Sequence, residues 1–149
     1  MSVVTERIAG SAARRVACVS LLLYAVALAS EVLPGWRGWD VLLCGWREGL
    51  IPRADPRVAF GWLANPLIWA SWVLVFRCAY GTAAVLAALA TLLGIGVRFG
   101  TRIVVSAGAA ALPMPHLGTG YGLWAAALVM ALLAALTGLR QRAPAGRRS

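Results

Sequence analysis

The chain carries four long apolar blocks, separated by short stretches rich in polar residues and glycine. Each block is close to the ~20 residues with which a helix crosses ~30 Å of hydrocarbon. An isolated strand would leave backbone groups unpaired in lipid, so each block is predicted to be a helix. We therefore predict an all-α membrane protein, a single domain over residues 1–149 built as a four-transmembrane-helix bundle. The predicted spans are Val16–Leu33, Val58–Phe76, Ala79–Val97 and Tyr121–Leu139.

Composition and charge agree with this pattern. The 149 residues are 61% hydrophobic and 13% charged, whereas a soluble domain is about half apolar and a quarter charged. The net charge is +9, and the arginines that carry it lie at the ends of the apolar blocks. This placement indicates a topology signal and contact with anionic lipids, and we predict no nucleic-acid partner.

The distribution of arginines predicts that both termini are cytoplasmic, in a bacterial inner membrane. One side would hold Arg7, Arg14, Arg15, Arg77, Arg140, Arg142, Arg147 and Arg148, and the other Arg37, Arg47, Arg53, Arg57, Arg98 and Arg102. The first block also fits a secretory signal cleaved after Ala29, which would leave three spans. Because its apolar run continues to Leu33, we expect residues 1–29 to be retained.

A tryptophan-rich segment (residues 36–50) follows the first span. Five large apolar side chains recur there at steps of three and four, which is typical of one face of a helix. They are Trp36, Trp39, Leu43, Trp46 and Leu50. We predict a helix lying in the membrane interface, with the indoles at headgroup depth. Glycines such as Gly38 would allow it to approach the spans closely.

The second span contains Asn65 followed directly by Pro66. Asp55-Pro56, ten residues earlier, predicts a helix N-cap and first helical residue. The helix is expected either to kink at Pro66 or to break near Ala64. In both cases Asn65 would satisfy the backbone groups that Pro66 disturbs.

Further side chains in the spans are candidates for interaction. Trp62, Asn65, Trp69, Trp72 and Phe76 fall on one predicted helix face, which indicates a core or lipid-facing belt more than a ligand site. Tyr121 and Trp124 begin the last span as predicted interface anchors. Small residues predict close helix contacts through Ala84, Ala87, Thr91 and Gly94 in the third span and Ala127, Ala131, Ala134 and Gly138 in the fourth.

Glu31 is the single acid inside a predicted span, which makes it a functional candidate. It lies two residues from the span's end, so contact with interfacial water is the stronger interpretation. The apolar stretch Ile103–Leu112 is too short to span, and would extend the third helix, lie at the surface or re-enter. The three cysteines lack metal-ligand spacing and are interpreted as small packing residues.

Three motifs resemble those of a family of small uncharacterised bacterial inner-membrane proteins. They are the Gly-Trp loop at Trp36–Trp46, the Trp-Leu-Ala-Asn-Pro element at Trp62–Pro66, and the Gly-Tyr-x-Leu-Trp start of the last helix at Gly120–Trp124. The resemblance covers most of the chain. It implies a four-span protein retained whole, and it implies no activity.

The sequence presents no nucleophile with a base, no carboxylate pair within the spans and no metal-ligand cluster. We therefore predict a non-enzymatic protein without a cofactor, which acts through helix–helix or lipid contacts. Its partners would be membrane lipids, a second copy or another membrane protein. The alternative hypothesis is a small dimeric transporter in which Glu31 is the working carboxylate.

Overall fold

The structure of the chain, a computed structural model, describes the backbone of residues 3–48, 55–103, 112–113 and 115–142. Side chains are described for 11–43, 55–102, 113 and 115–142. The described chain is mostly helical, and four of its helical stretches are long and apolar enough to cross a membrane. These stretches are Ser11–Ala29, Pro56–Phe76, Tyr80–Phe99 and Thr119–Arg142.

The elements follow in the order α1 (Val3–Ala29), β1 (Glu31–Leu33), β2 (Trp36–Arg37), α2 (Gly38–Glu48), α3 (Pro56–Gly61), α4 (Ala64–Phe76), α5 (Tyr80–Gly96), a 3₁₀ turn (Val97–Phe99), β3 (Arg102–Ile103), β4 (Leu112–Pro113) and α6 (Thr119–Arg142). The two antiparallel ladders, β1–β2 and β3–β4, were not predicted from the sequence. They are confined to the connections between spans and leave the predicted helical class unchanged.

The last helix is the centre of the bundle. α6 contacts each of the other three spans, and its most extensive contact is with α1. Its inward face is built from Ala127, Ala131, Ala134 and Gly138, all buried, as the small-residue pattern predicts. Small side chains let helix backbones approach closely, which is how helices gain packing energy in lipid.

The first span ends earlier than predicted. α1 stops at Ala29, and the chain turns through Pro34 and Gly35 so that Glu31–Leu33 pairs with Trp36–Arg37. Gly35 has a φ of 77°, a conformation that glycine adopts without steric cost. Trp36 therefore lies in β2, and the prediction that it shares a helix with Trp39 is wrong.

The second span breaks just before Asn65-Pro66. α3 is capped by Asp55, which accepts a hydrogen bond from the Arg57 backbone N–H with Pro56 in the first turn, as predicted. The helix is interrupted at residues 62–63 and resumes as α4. The cause is Pro66, which has no N–H to offer the carbonyl four residues earlier, that of Trp62.

The third span also ends sooner than one sequence alternative proposed. α5 closes in the 3₁₀ turn at Phe99, and Ile103 pairs with Leu112 in β3–β4. Ile103 and Leu112, the two ends of the predicted apolar stretch, therefore do not continue α5. Residues 104–111 lie outside the described part of the chain.

Candidate functional site

Asn65 lies at the centre of a hydrogen-bond network that joins three helices. Its side chain is 7% exposed. The Oδ1 atom accepts a hydrogen bond from the Tyr24 hydroxyl in α1 at 3.0 Å and another from Trp124 Nε1 in α6 at 3.0 Å. One amide oxygen therefore fixes the positions of α1, α4 and α6.

The nitrogen of the same amide repairs the break before Pro66. Asn65 Nδ2 donates to the Trp62 carbonyl oxygen at 3.0 Å, and the Asn65 backbone N–H donates to the same oxygen at 3.0 Å. Because an unpaired carbonyl in hydrocarbon costs several kcal/mol, these bonds stabilise the interrupted helix. The predicted structural role of Asn65 is confirmed by this contact.

A second hydrogen-bonded chain runs alongside the first. Trp72 Nε1 donates to Ser20 Oγ at 3.0 Å, and the Ser20 hydroxyl donates to the Ala127 carbonyl oxygen at 2.6 Å. The Tyr24 ring packs edge-on against Trp72, with 5.3 Å between ring centroids. We call Ser20, Tyr24, Asn65, Trp72 and Trp124 the Asn65 network.

The hydrogen bonds of the Asn65 network join neighbouring helices. Its indole N–H groups and hydroxyls are each paired with an oxygen of a neighbouring helix. Fully satisfied polar networks in a medium of low dielectric rigidify a core. Among the members of this network, the Tyr24 phenol alone is ionisable, so no acid–base pair is present within it.

The aromatic stripe of the second span is split by the packing. Trp72 is buried, whereas Trp69 and Phe76 are about 40% exposed. The buried face of α4 runs through Ala64, Ile68, Ser71 and Val75, roughly a quarter turn from the aromatics. Sequence periodicity located the stripe, but the most buried face of α4 lies beside it.

Tyr121 and Trp124 direct their polar atoms into the protein. The Tyr121 hydroxyl donates to the Gly94 carbonyl oxygen at 3.0 Å, and Trp124 belongs to the Asn65 network. Both are partly exposed. The sequence predicts interface anchors because it places these residues at a span end, but their hydrogen bonds are made to neighbouring helices.

The tryptophan-rich segment is described in part. In α2, the exposed fractions of Trp39 and Leu43 are 49% and 61%. Trp62 Nε1 donates to the Leu42 carbonyl oxygen at 2.9 Å and so ties α2 to the second span. A Cβ on Gly38 would collide with the carbonyl oxygen of Ala27, so this glycine permits the predicted close approach. The side chain of Trp46, and Leu50, lie outside the described residues.

Glu31 lies in β1, after the end of α1, and is exposed. Its Oε1 atom accepts a hydrogen bond from the Gly35 backbone N–H at 2.7 Å and closes the turn between β1 and β2. The prediction that it falls within the first helical span is wrong, because the chain leaves the helix at Ser30. The interpretation that Glu31 contacts interfacial water is consistent with its exposure beyond the end of α1.

Asp55 joins the start of the second span to the end of the third. Its carboxylate accepts hydrogen bonds from the Thr101 backbone N–H and hydroxyl, both at 3.0 Å. These bonds, together with the bond from the Arg57 backbone N–H, hold the pKa of Asp55 below its usual value. Arg57 Nη1 donates to the Phe99 carbonyl oxygen at 2.9 Å and reinforces the same junction.

Cys78 lies at the opposite end of the bundle, in the turn between α4 and α5. Its φ is 61°. The Ala79 N–H bonds to the Leu74 carbonyl at 2.8 Å and the Cys78 N–H to that of Val75 at 3.0 Å, which is the Schellman pattern of a helix C-terminus. Glycine usually occupies this left-handed position, so a cysteine there was not predicted.

The Cys78 thiol is surrounded by polar groups. The Tyr80 hydroxyl lies 3.5 Å from its sulfur, and Arg14 Nη2 lies 3.7 Å from it. These contacts, that of Tyr80 first, lower the pKa of Cys78. Cys78 packs against the core, as predicted, and makes these polar contacts as well. Cys18 is exposed on α1, and the side chain of Cys44 lies outside the described residues.

Within the described residues, no group of three His, Cys, Asp or Glu side chains is placed to hold a metal ion. Comparisons of the chain with protein-family models, with curated proteins and with solved structures found no match. The resemblance carried by the Trp36–Trp46, Trp62–Pro66 and Gly120–Trp124 motifs stays a prediction.

Proposed function

We propose that the chain is a non-enzymatic, four-span protein of the bacterial inner membrane that acts through helix–helix and lipid contacts. Four apolar helices, held by paired polar side chains, support the membrane address. The working surface would be the tryptophan-rich segment at the rim of the bundle. No cofactor is part of this proposal.

The observation that carries the proposal is the exposed apolar face of α2. Trp39 and Leu43, four residues apart, project from a helix whose own position is fixed by Trp62 and Gly38. An amphipathic helix tied to the end of a span lies at the depth of the headgroups, where indole rings are favoured. Such a helix would couple the bundle to the surrounding lipid or to a membrane partner.

Depth-dependent quenching tests this placement. The protein would be reconstituted into vesicles whose lipids carry bromine either near the headgroup or deep in the acyl chains. We expect shallow bromine to quench Trp39 more strongly than deep bromine. The contribution of Trp39 to the quenched fluorescence is obtained by comparison with W39F.

The matched control is W72F, which removes a buried indole. We expect W72F to leave the preference for shallow bromine unchanged, whereas W39F weakens it. Equal quenching of the Trp39 contribution at both depths, or none at either, would refute the interfacial position of α2.

The transporter alternative is less well supported. Its carboxylate, Glu31, is exposed at the end of the first span and is bonded to the turn at Gly35. E31Q should therefore leave proton flux and cationic-dye uptake in vesicles unchanged. A loss of either activity in E31Q, after it has been demonstrated in the parent protein, would favour transport.

A further inference from the structure

Arginines from the first and last helices converge on the turn between α4 and α5. Arg14 Nη2 lies 3.7 Å from Cys78 Sγ, and the Arg142 guanidinium carbon lies 5.0 Å from the Tyr80 ring centroid. The Tyr80 hydroxyl and the Cys78 sulfur are 3.5 Å apart. The two guanidinium groups therefore flank one small polar surface.

This surface has an uncompensated positive charge. Arg77 precedes Cys78 directly, and Arg15 and Arg140 are exposed at the same end of the bundle. The acids with described side chains lie at the other end, in or beside β1, α2 and α3: Glu31, Asp40 and Asp55. Among the described side chains, no carboxylate neutralises the arginines around Cys78.

We propose that Arg14 and Arg142, here called the arginine cluster, bind the phosphate of an anionic membrane lipid. This inference rests on the proposed membrane function and adds a partner to it. Guanidinium groups bind phosphate oxygens through paired N–H donors. The Tyr80 ring holds Arg142 by a cation–π contact and so limits the entropy lost when the phosphate binds.

Neighbouring apolar side chains favour a lipid over a soluble phosphate. Phe76 and Leu139 are exposed, at 40% and 37%; Phe76 lies two residues before Cys78 and Leu139 three residues before Arg142. They lie on the outer surface of α4 and α6, where acyl chains would pass. A lipid would thus contact the arginine cluster through its headgroup and the helices through its tails.

The alkylation rate of the Cys78 thiol would report whether phosphate is bound at the arginine cluster. Thiolate is the reactive form, and the Tyr80 hydroxyl and Arg14 favour it by lowering the pKa of the thiol. A phosphate bound to Arg14 would oppose this effect, so the pKa would rise and alkylation of Cys78 would slow.

The test uses the full chain in nanodiscs of phosphatidylcholine, with or without phosphatidylglycerol. Alkylation is followed on the peptide that contains Cys78, near pH 7.5, and lipids retained by the protein are counted by native mass spectrometry. We expect phosphatidylglycerol to slow alkylation about threefold and to give one retained anionic lipid. R14Q/R142Q should lose both effects, whereas R14K/R142K should keep them in part.

Two single variants serve as controls. R15Q removes an exposed arginine from the same helix, and R37Q removes one from the other end of the bundle. Each variant is compared with itself in the two lipid mixtures, because removal of Arg14 alters Cys78 without any lipid. Both controls should keep the lipid dependence.

Three outcomes would overturn the site. If R15Q or R37Q lost the effect as fully as R14Q/R142Q, binding would reflect diffuse charge. If inorganic phosphate slowed alkylation equally in phosphatidylcholine alone, the ligand would be a soluble anion. If the protein inserted normally and the alkylation rate of Cys78 did not depend on lipid charge, the lipid site would be refuted while the proposed function would stand. Failure of the protein to insert would refute the proposed function itself.

Discussion

Asn65 joins three helices through hydrogen bonds that an apolar residue of its size could not make. Its oxygen receives donors from α1 and α6, and its nitrogen supplies the hydrogen bond that Pro66 cannot give to Trp62. A buried polar side chain is costly in lipid unless all its groups are paired. Here the partners of Asn65 lie on helices that are distant in sequence. Its groups are paired only when α1, α4 and α6 pack as they do in this fold.

Replacing Asn65 with Ala should destabilise the bundle. Asn65→Ala leaves the Tyr24 hydroxyl and Trp124 Nε1 without their acceptor, and we expect a loss of about 2 kcal/mol in the free energy of unfolding. The measurement is unfolding by sodium dodecyl sulfate in mixed micelles. Thr137→Val is the control, because the Thr137 hydroxyl bonds to the Leu133 carbonyl of its own helix. Equal losses in both variants would contradict the role of Asn65.

Cys78 should be more tolerant of Gly than of Ala. Both substitutions remove the thiol, but Ala at a φ of 61° pays a steric cost of about 1 kcal/mol that Gly does not. Cys78→Gly is therefore expected to unfold at a higher denaturant concentration than Cys78→Ala. At Cys18, inside α1, the order should reverse, because Gly is the poorer helix former. If Gly and Ala variants ranked in the same order of stability at Cys78 and at Cys18, the left-handed conformation of Cys78 would be ruled out.

At the scale of elements, small residues set the distance between helices. Gly138 in α6 faces Tyr80 of α5, and a Cβ there would collide with the Tyr80 ring. Tyr80 is 4% exposed, so its ring has little freedom to move away. Gly122 lies in the same helix, and a Cβ there would meet open space.

These two glycines give a matched pair. We expect Gly138→Ala to lower the free energy of unfolding by about 1–3 kcal/mol through overpacking. Gly122→Ala should be neutral or stabilise α6 by up to about 1 kcal/mol, since Ala is the better helix former. Melting followed by circular dichroism in detergent would measure both, and a Gly138→Ala protein as stable as Gly122→Ala would contradict the packing.

The elements also show what the sequence could and could not predict. Apolar length predicted four helices, and the Ala and Gly pattern predicted the inward face of α6, because both depend on local composition. The predicted end of α1 was too late because Val32 and Leu33 continue the apolar run of the first block. The pairing of Glu31–Leu33 with Trp36–Arg37 instead depends on a turn at Gly35.

The distant hydrogen-bond partners of Asn65 could not be predicted from the sequence, because they also depend on tertiary packing. The sequence predicted that the amide would bond to backbone groups disturbed by Pro66, and it bonds to the carbonyl of Trp62, three residues away, where the geometry is local. Its contacts with Tyr24 and Trp124 join residues 41 and 59 positions apart. Periodicity gives the face on which a residue lies, and it carries no information about the neighbouring helix that meets that face.

At the scale of the molecule, the two ends of the bundle differ in charge. Among the described side chains, the end that holds Cys78 has five arginines and no acid, whereas the other end has four arginines and three acids. An excess of arginine in short flanks marks the cytoplasmic side. With four spans, both chain termini would share that side.

Thiol labelling should reveal this orientation. We expect an impermeant maleimide to label T119C in intact spheroplasts, because Thr119 is exposed at the acid-containing end. Native Cys78 should be labelled after permeabilisation alone. The opposite pattern would invert the orientation, and labelling of both sites in intact spheroplasts would contradict a four-span chain.

The contact between α1 and α6 has a consequence for biogenesis. α1 packs most extensively against α6, and the Ser20 hydroxyl of α1 donates to the carbonyl of Ala127, which is synthesised 107 residues later. Until α6 has been synthesised, Ser20 is without this acceptor. A chain truncated before α6 would therefore leave a polar group on the face of α1 that α6 covers in the folded bundle.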